Sequence, residues 1–256
     1  MRIRDILGPA AVLVLGALSA QPAYATFHFM QIEQVMGGVN GDTAAQAIQL
    51  RMRSPSQHSV AQARLCARDA AGANPVLLID IGSNLSAPSS AGDRILIATP
   101  SFAATTTPTA VPNFSMLPIP AAYLAAGSLT FEGDTGMIYW RLSWGGSSYT
   151  GSNGGETDND NNLPGDFGPP FAGRLSSDNC YALQFQGSAG AESTSNSLQY
   201  AETASAATFT NYAGNSFTIE TCIPAVSAWG LFVMTLLLLS AATVVVVRRS
   251  RMTARC

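Results

Sequence analysis

Met137-Ile138-Tyr139-Trp140-Arg141-Leu142-Ser143-Trp144 puts Ile138, Trp140, Leu142 and Trp144 at alternate positions. A period of two is that of a β-strand with one buried face. The same alternation runs through Ala47–Arg53 (Ile48, Leu50, Met52), Cys180–Gln186 (Tyr181, Leu183, Phe185) and Ser216–Cys222 (Phe217, Ile219). Six more strands are expected at Phe27–Val35, Val60–Arg68, Val76–Ile81, Arg94–Ala98, Ser128–Phe131 and Ala207–Asn211. Turn-forming clusters divide them: 37–42, 69–75 and Gly133-Asp134. Only Ala121–Ala126 reads as briefly helical. Many short strands with Gly and Asn turns predict an all-β fold, an antiparallel β-sandwich over residues 26–222.

The two ends read differently. Arg2 and Arg4 precede an apolar run, Ile6–Ala20, and Ala23-Tyr24-Ala25 follows as a small-x-small site. That order is the order of a secretory signal peptide cleaved after Ala25, and Pro9 interrupts the run. At the other end no charge occurs from Thr221 to Val247, and residues 228–247 contain no proline. Twenty helical residues at 1.5 Å each cover about one hydrocarbon core. Trp229 sits at one boundary and Arg248, Arg249 and Arg251 follow the span, so the expected orientation places 26–222 outside and the short tail inside.

All 13 basic residues are Arg, against 16 carboxylates. Most of the imbalance lies in the middle, where 7 Arg face 15 carboxylates. A middle with a net charge of −8 argues against nucleic acid as a partner, because phosphates are bound by cations. The expected partners are a membrane and an extracellular polymer.

Ile223-Pro224-Ala225-Val226-Ser227-Ala228-Trp229-Gly230, followed by the span and the Arg cluster, resembles the IPTL-type C-terminal sorting domain. That domain is a relative of the PEP-type signals handled by exosortases in Gram-negative bacteria. Ile223, Pro224, Ser227, Trp229 and Gly230 match its pattern, while Ala225, Val226 and Ala228 depart from it. The resemblance implies cleavage near Pro224 by an exosortase-like membrane protease and delivery to the cell surface or extracellular matrix. Separately, Gln31–Val35, a Gly/Asn-rich turn, Gln46–Leu50 and Ala91–Ile97 resemble the lamin-tail-like domains, which are immunoglobulin-like sandwiches. Gln49 stands where that family has Glu, and its Gly-Trp after the third strand is missing.

Gly145–Asn179 is a polar stretch with six apolar residues, too long for an ordinary connection. Within and beside its acidic run, Asp158, Asp160 and Asp166 offer hard oxygen ligands suited to Ca²⁺, although the spacing is not that of an EF-hand. Phe167 and Phe171 either present rings to a glycan or pin the loop to the sheets, and Trp140 and Trp144 read as core. No catalytic site and no other cofactor is expected. Nucleophilic catalysis needs a base, and His28 and His58 are the only histidines. No Gly-x-Ser-x-Gly elbow and no zinc-spaced His pair occurs. The expected role is structural or adhesive at the cell surface. A calcium-assisted glycan-binding module and a hydrolase with dispersed carboxylates are the alternatives.

Cys66, Cys180 and Cys222 fall out of phase with the apolar residues of their strands, which predicts outward-facing thiols. Antiparallel pairing of the strands at 180–186 and 216–222 would join Cys180 to Cys222 and leave Cys66 free. Cys256 lies in the expected cytoplasmic tail.

Overall fold

The computed structural model describes residues 27–156, 164–220 and 233–240. The strands are β1 (Met30–Met36), β2 (Ala47–Met52), β3 (Ala63–Arg68), β4 (Val76–Asp80), β5 (Arg94–Ala98), β6 (Thr106–Thr107), β7 (Phe114–Ser115), β8 (Gly127–Gly133) and β9 (Ile138–Trp144). They continue with β10 (Gly154–Glu156), β11 (Pro164–Asp166), β12 (Leu183–Phe185), β13 (Tyr200–Glu202), β14 (Thr208–Thr210) and β15 (Ser216–Ile219). A four-residue helix, α1 (Asn196–Gln199), precedes β13, and Ala121–Tyr123 forms a 3₁₀ turn. Residues 233–240 are helical.

Two larger sheets, of order β13-β12-β1-β2-β5-β7 and β4-β3-β8-β9, stand beside a three-stranded sheet β14-β15-β6 and the hairpin β10-β11. Among the described residues the strand-to-strand pairings are antiparallel except β5 with β7, and an isolated parallel bridge joins Trp144 of β9 to Phe171. One apolar cluster joins the two larger sheets, with Ile32, Leu50, Ile95 and Leu183 from the first meeting Leu65, Phe131, Trp140 and Leu142 from the second. A second cluster lies on the opposite side of the first sheet. There Met36, Ala47, Leu96 and Ala98 meet Phe209, Phe217 and Ile219 of the three-stranded sheet, with Phe102 at 5.2 Å edge-on to Phe209.

The expectation of one buried face per strand is corrected here. β1 and β8 are buried at every position. The six-stranded sheet carries apolar cover on both sides, and on the outer face of β9 Arg141 and Ser143 bond Gly154 and Asn153, so polar side chains are enclosed as well as apolar ones. β1 also departs from strict alternation. Ile32 pairs with Leu50 and Gln34 with Gln49, leaving Glu33 as the extra residue of a bulge. The bulge lets Ile32 and Val35, three residues apart, both reach the same core.

At the end of β9 the chain reverses through Gly145, whose φ is +101°. A Cβ there would sit 2.4 Å from the Ala126 Cβ, so the turn requires glycine twice over.

Trp140 and Tyr200 lock the sheets together. Tyr200 Oη accepts from Trp140 Nε1 at 2.8 Å and donates to the Ile32 carbonyl at 2.5 Å. Complete burial drives the Tyr200 phenol far above its ordinary pKa, so the bridge keeps its proton.

Candidate functional site

The residues of the sorting motif, Ile223, Pro224, Ser227, Trp229, Gly230, Arg248 and Arg249, lie outside the described residues, as do Ala23, Ala25, Asp158, Asp160 and Cys222. Among the described residues no helix is long and apolar enough to cross a membrane. Of the stretch 228–247, the described part is 233–240.

Asp166, the described member of the expected calcium set, is exposed, and its Oδ1 accepts the Gly168 amide at 2.8 Å in a local turn. Among the described residues no three His, Cys, Asp or Glu side chains gather where a metal could sit.

The 145–179 segment has a definite packing role. Phe167 is fully buried, 5.4 Å from the Trp140 ring in an edge-on contact, and Phe171 packs partly buried against the same core. Arg141 Nε donates to the Gly154 carbonyl at 2.8 Å, and the Ser143 hydroxyl bonds Asn153 Oδ1 at 2.6 Å. Asn196 Nδ2, on the first residue of α1, donates to the same hydroxyl at 3.1 Å. Trp140 and Trp144 are both fully buried, which makes them core residues.

Among the described residues two carboxylates are buried, each on its own sheet and each held by arginines. Glu33 receives a two-pronged contact from Arg94 at 2.7 and 3.0 Å, with Arg51 at 3.6 Å and Gln49 Nε2 at 2.8 Å. The hydrogen bond to Glu33 raises the Arg94 pKa above its ordinary value. Gln49 then uses its oxygen to accept the Thr210 amide at 2.5 Å, tying the three-stranded sheet to β2. On the other sheet Glu132 pairs with Arg64 at 3.2 Å and Arg68 at 2.7 Å, and Thr130 donates to it at 2.5 Å. Paired in this way, the two side chains serve to hold strands in register, since a buried charge needs a partner.

Cys66 belongs to the Glu132 cluster. Its expected exposure is corrected: the residue is 6% exposed, although it does point away from the main core in phase with Arg64 and Arg68. Burial first, and Glu132 second, raise its thiol pKa to about 11. Cys66 is a free thiol. Cys180 is fully buried in the second apolar cluster rather than outward-facing, and it is disulfide-bonded. The route proposed for its pairing is also corrected. β12 and β15 do not pair, because β12 runs between β1 and β13 while β15 runs between β14 and β6.

His28 stacks on Tyr139 with centroids 4.5 Å apart. His58 Nδ1 lies 3.3 Å from Ser89 Oγ, and among the described residues no carboxylate bonds the remaining ring nitrogen to orient it.

A cleft of about 220 Å³ opens where the six-stranded and three-stranded sheets meet, with Gln34, Gln184, Thr203, Ser205 and Thr208 among its lining residues. Its amides sit on β1 and β12, which are joined by pairing across a large sequence separation. Sequence reading missed it because no local pattern announces that pairing. The chain matches no family model, no curated protein and no solved structure.

Proposed function

We propose that the protein is an exported cell-surface protein, an immunoglobulin-like β-sandwich anchored by residues 228–247, with a structural or adhesive role. The observation that carries this reading is the helix at 233–240. Val233, Met234, Leu236, Leu237, Leu238 and Leu239 are all more than half exposed and spread around its whole circumference. A helical stretch apolar on every side has no stable place in water and belongs in a bilayer or a protein core. Its Ser240 hydroxyl donates to the Leu236 carbonyl at 2.7 Å, satisfying itself within the helix as a lipid environment demands.

Further support comes from the order of features along the chain. A basic and apolar leader with its Ala23-Tyr24-Ala25 site comes first. The β-rich middle follows, then Ile223-Pro224 through Trp229-Gly230, the uncharged span and Arg248-Arg249. The disulfide at Cys180 suits the oxidising compartment to which such a leader delivers. Two sheets sharing one core through Trp140 and Phe131 are what a sandwich requires. Recognition by an exosortase-like protease near Pro224 completes the reading, with the protein as substrate.

Alkaline carbonate extraction of membranes from expressing cells tests the anchor. The full chain stays in the pellet on this reading, and its release into the supernatant refutes it. Mass spectrometry of surface material from the native organism tests the sorting step. Peptides ending within 223–227 support it, whereas intact peptides from 248–256 on the surface form reduce the segment to a plain anchor.

A further inference from the structure

We propose that two copies of this chain meet side by side through the uncharged surface formed by the start of β4 and the segment 117–122. Among the described residues outside the 233–240 helix, Leu77, Val111, Leu117 and Leu198 are the exposed large apolar side chains, and Leu77 at 46% and Leu117 at 62% lie together. The Leu117 amide donates to the Leu78 carbonyl at 2.9 Å, and the Tyr123 hydroxyl donates to the Asn74 carbonyl at 3.0 Å. These two bonds lay 117–122 along 74–77. Leu78 and Met116 turn into the core at 2% and 4% exposure, and their chain neighbours Leu77 and Leu117 turn outward. Pro75, Pro118, Ala121 and Ala122 are exposed around them.

Charge selects the occupant. No charged side chain occurs from 95 to 131 or from 74 to 79. The middle of the chain has 7 Arg against 15 carboxylates, so two copies repel over most of their surface. On this patch they meet without opposed like charges, and apolar surface on one covers apolar surface on the other. An isologous contact asks only that a patch be complementary to itself, which an uncharged apolar surface is. Lipid headgroups are the competing cover. Asp42, Asp178 and Glu220 are exposed at the same end of the sandwich, and anionic headgroups repel them.

That end is the one from which the chain leaves toward its span. β15 stops at Ile219, and the Glu220 amide donates to the Thr105 carbonyl at 3.1 Å. Thr99, which precedes the 3₁₀ turn ending at Thr105, donates its amide to the Gln46 carbonyl at 3.0 Å. The Gln46 side chain exchanges two hydrogen bonds with the Ile119 backbone, at 2.7 and 3.0 Å, two residues beyond Leu117. From Glu220 to the span at 228 the chain reaches at most about 26 Å. On the anchored reading, copies in one membrane hold this end toward the bilayer with their patches at one height. A two-fold axis along the membrane normal then brings the patches together, and confinement raises their effective concentration. The arrangement in the membrane rests on that reading, whereas the contact itself does not.

The full chain carrying Cys256→Ser, which removes the tail thiol, is purified in detergent and its protein mass is followed by light scattering across a dilution series. The expected result is a dimer whose dissociation midpoint shifts by about tenfold or more in Leu117→Asp. Leu198→Asp, the same change at a leucine 82% exposed elsewhere, leaves the midpoint in place. Mild oxidation of Leu117→Cys gives a covalent dimer, and Leu198→Cys gives none. A monomer at every concentration overturns the proposal. A dimer unmoved by Leu117→Asp assigns association to the span and overturns it too. A monomer whose dye, attached at Leu117→Cys, is shielded by lipid vesicles assigns the patch to the bilayer, with the same consequence. Release in carbonate extraction would refute the anchor without altering these masses, so the two failures are distinguishable.

Discussion

Replacing Tyr200 by Phe removes one oxygen atom and tests whether the Trp140–Tyr200–Ile32 bridge holds the two larger sheets together. The ring and its packing against Phe185, at 5.4 Å between centroids, stay in place. What disappears is the acceptor for Trp140 Nε1 and the donor to the Ile32 carbonyl, both in a region where Trp140 and Ile32 are fully buried. Each stranded buried group costs about 1–3 kcal/mol, so Tyr200→Phe is expected to destabilise by about 2–6 kcal/mol. For a domain of this size that lowers Tm by roughly 2–4 °C for each kcal/mol. Urea unfolding followed by Trp fluorescence reads the loss, with the disulfide kept intact. Tyr123→Phe is the control. Its hydroxyl donates to the Asn74 carbonyl at 3.0 Å in an exposed contact, where water replaces it at a cost below about 0.5 kcal/mol. Equal, small effects from the two variants would refute the claim that the buried bridge joins the sheets.

Glu132→Gln leaves Arg64 and Arg68 facing an uncharged group and is expected to destabilise by about 2–4 kcal/mol, read by the same unfolding assay. Phe167→Ala opens a cavity beside Trp140 and is expected to cost about 3–5 kcal/mol, with faster proteolysis inside 145–179; an unchanged cleavage rate would show that the ring does not pin the segment. The Cys66 thiol, raised to about 11, is expected to resist maleimide at pH 8 in the native state and to react once unfolded. Because its folded pKa is the higher one, its contribution to stability is complete below the unfolded thiol pKa and fades as pH rises toward about 11, which unfolding curves across alkaline pH would show. We propose Cys222 as the disulfide partner of Cys180; non-reducing peptide mapping is expected to find the two in one linked fragment, and a link from Cys180 to Cys256 would refute the pairing.

The positions of strands were legible in the sequence where alternation is local. β5 spans Arg94–Ala98 as its pattern indicates, and β2 and β9 fall within one residue of theirs. Strand phase follows from side chains two residues apart, which the chain carries without help from distant parts. For the same reason the turn at Gly133-Asp134 could be read directly, and Phe167, Phe171, Trp140 and Trp144 could be weighed as packing residues.

What covers a strand is a different matter. Cys66 points away from the main core as its phase indicates, but the Glu132 side chain and its arginines enclose it, and nothing near Cys66 in sequence announces them. The bulge at Glu33 is invisible locally, because it exists only in the pairing of β1 with β2. Gln34 becomes the buried floor of a cleft because β12 pairs beside it and the β13–β14 connection closes over it. β12 and β15, similar in pattern, were expected to pair and instead entered different sheets. Alternation specifies which face of a strand is apolar. Which strand lies beside it, and whether the polar face meets water or another layer, is decided only when distant segments compete for the same surface, and that competition is settled in the tertiary structure.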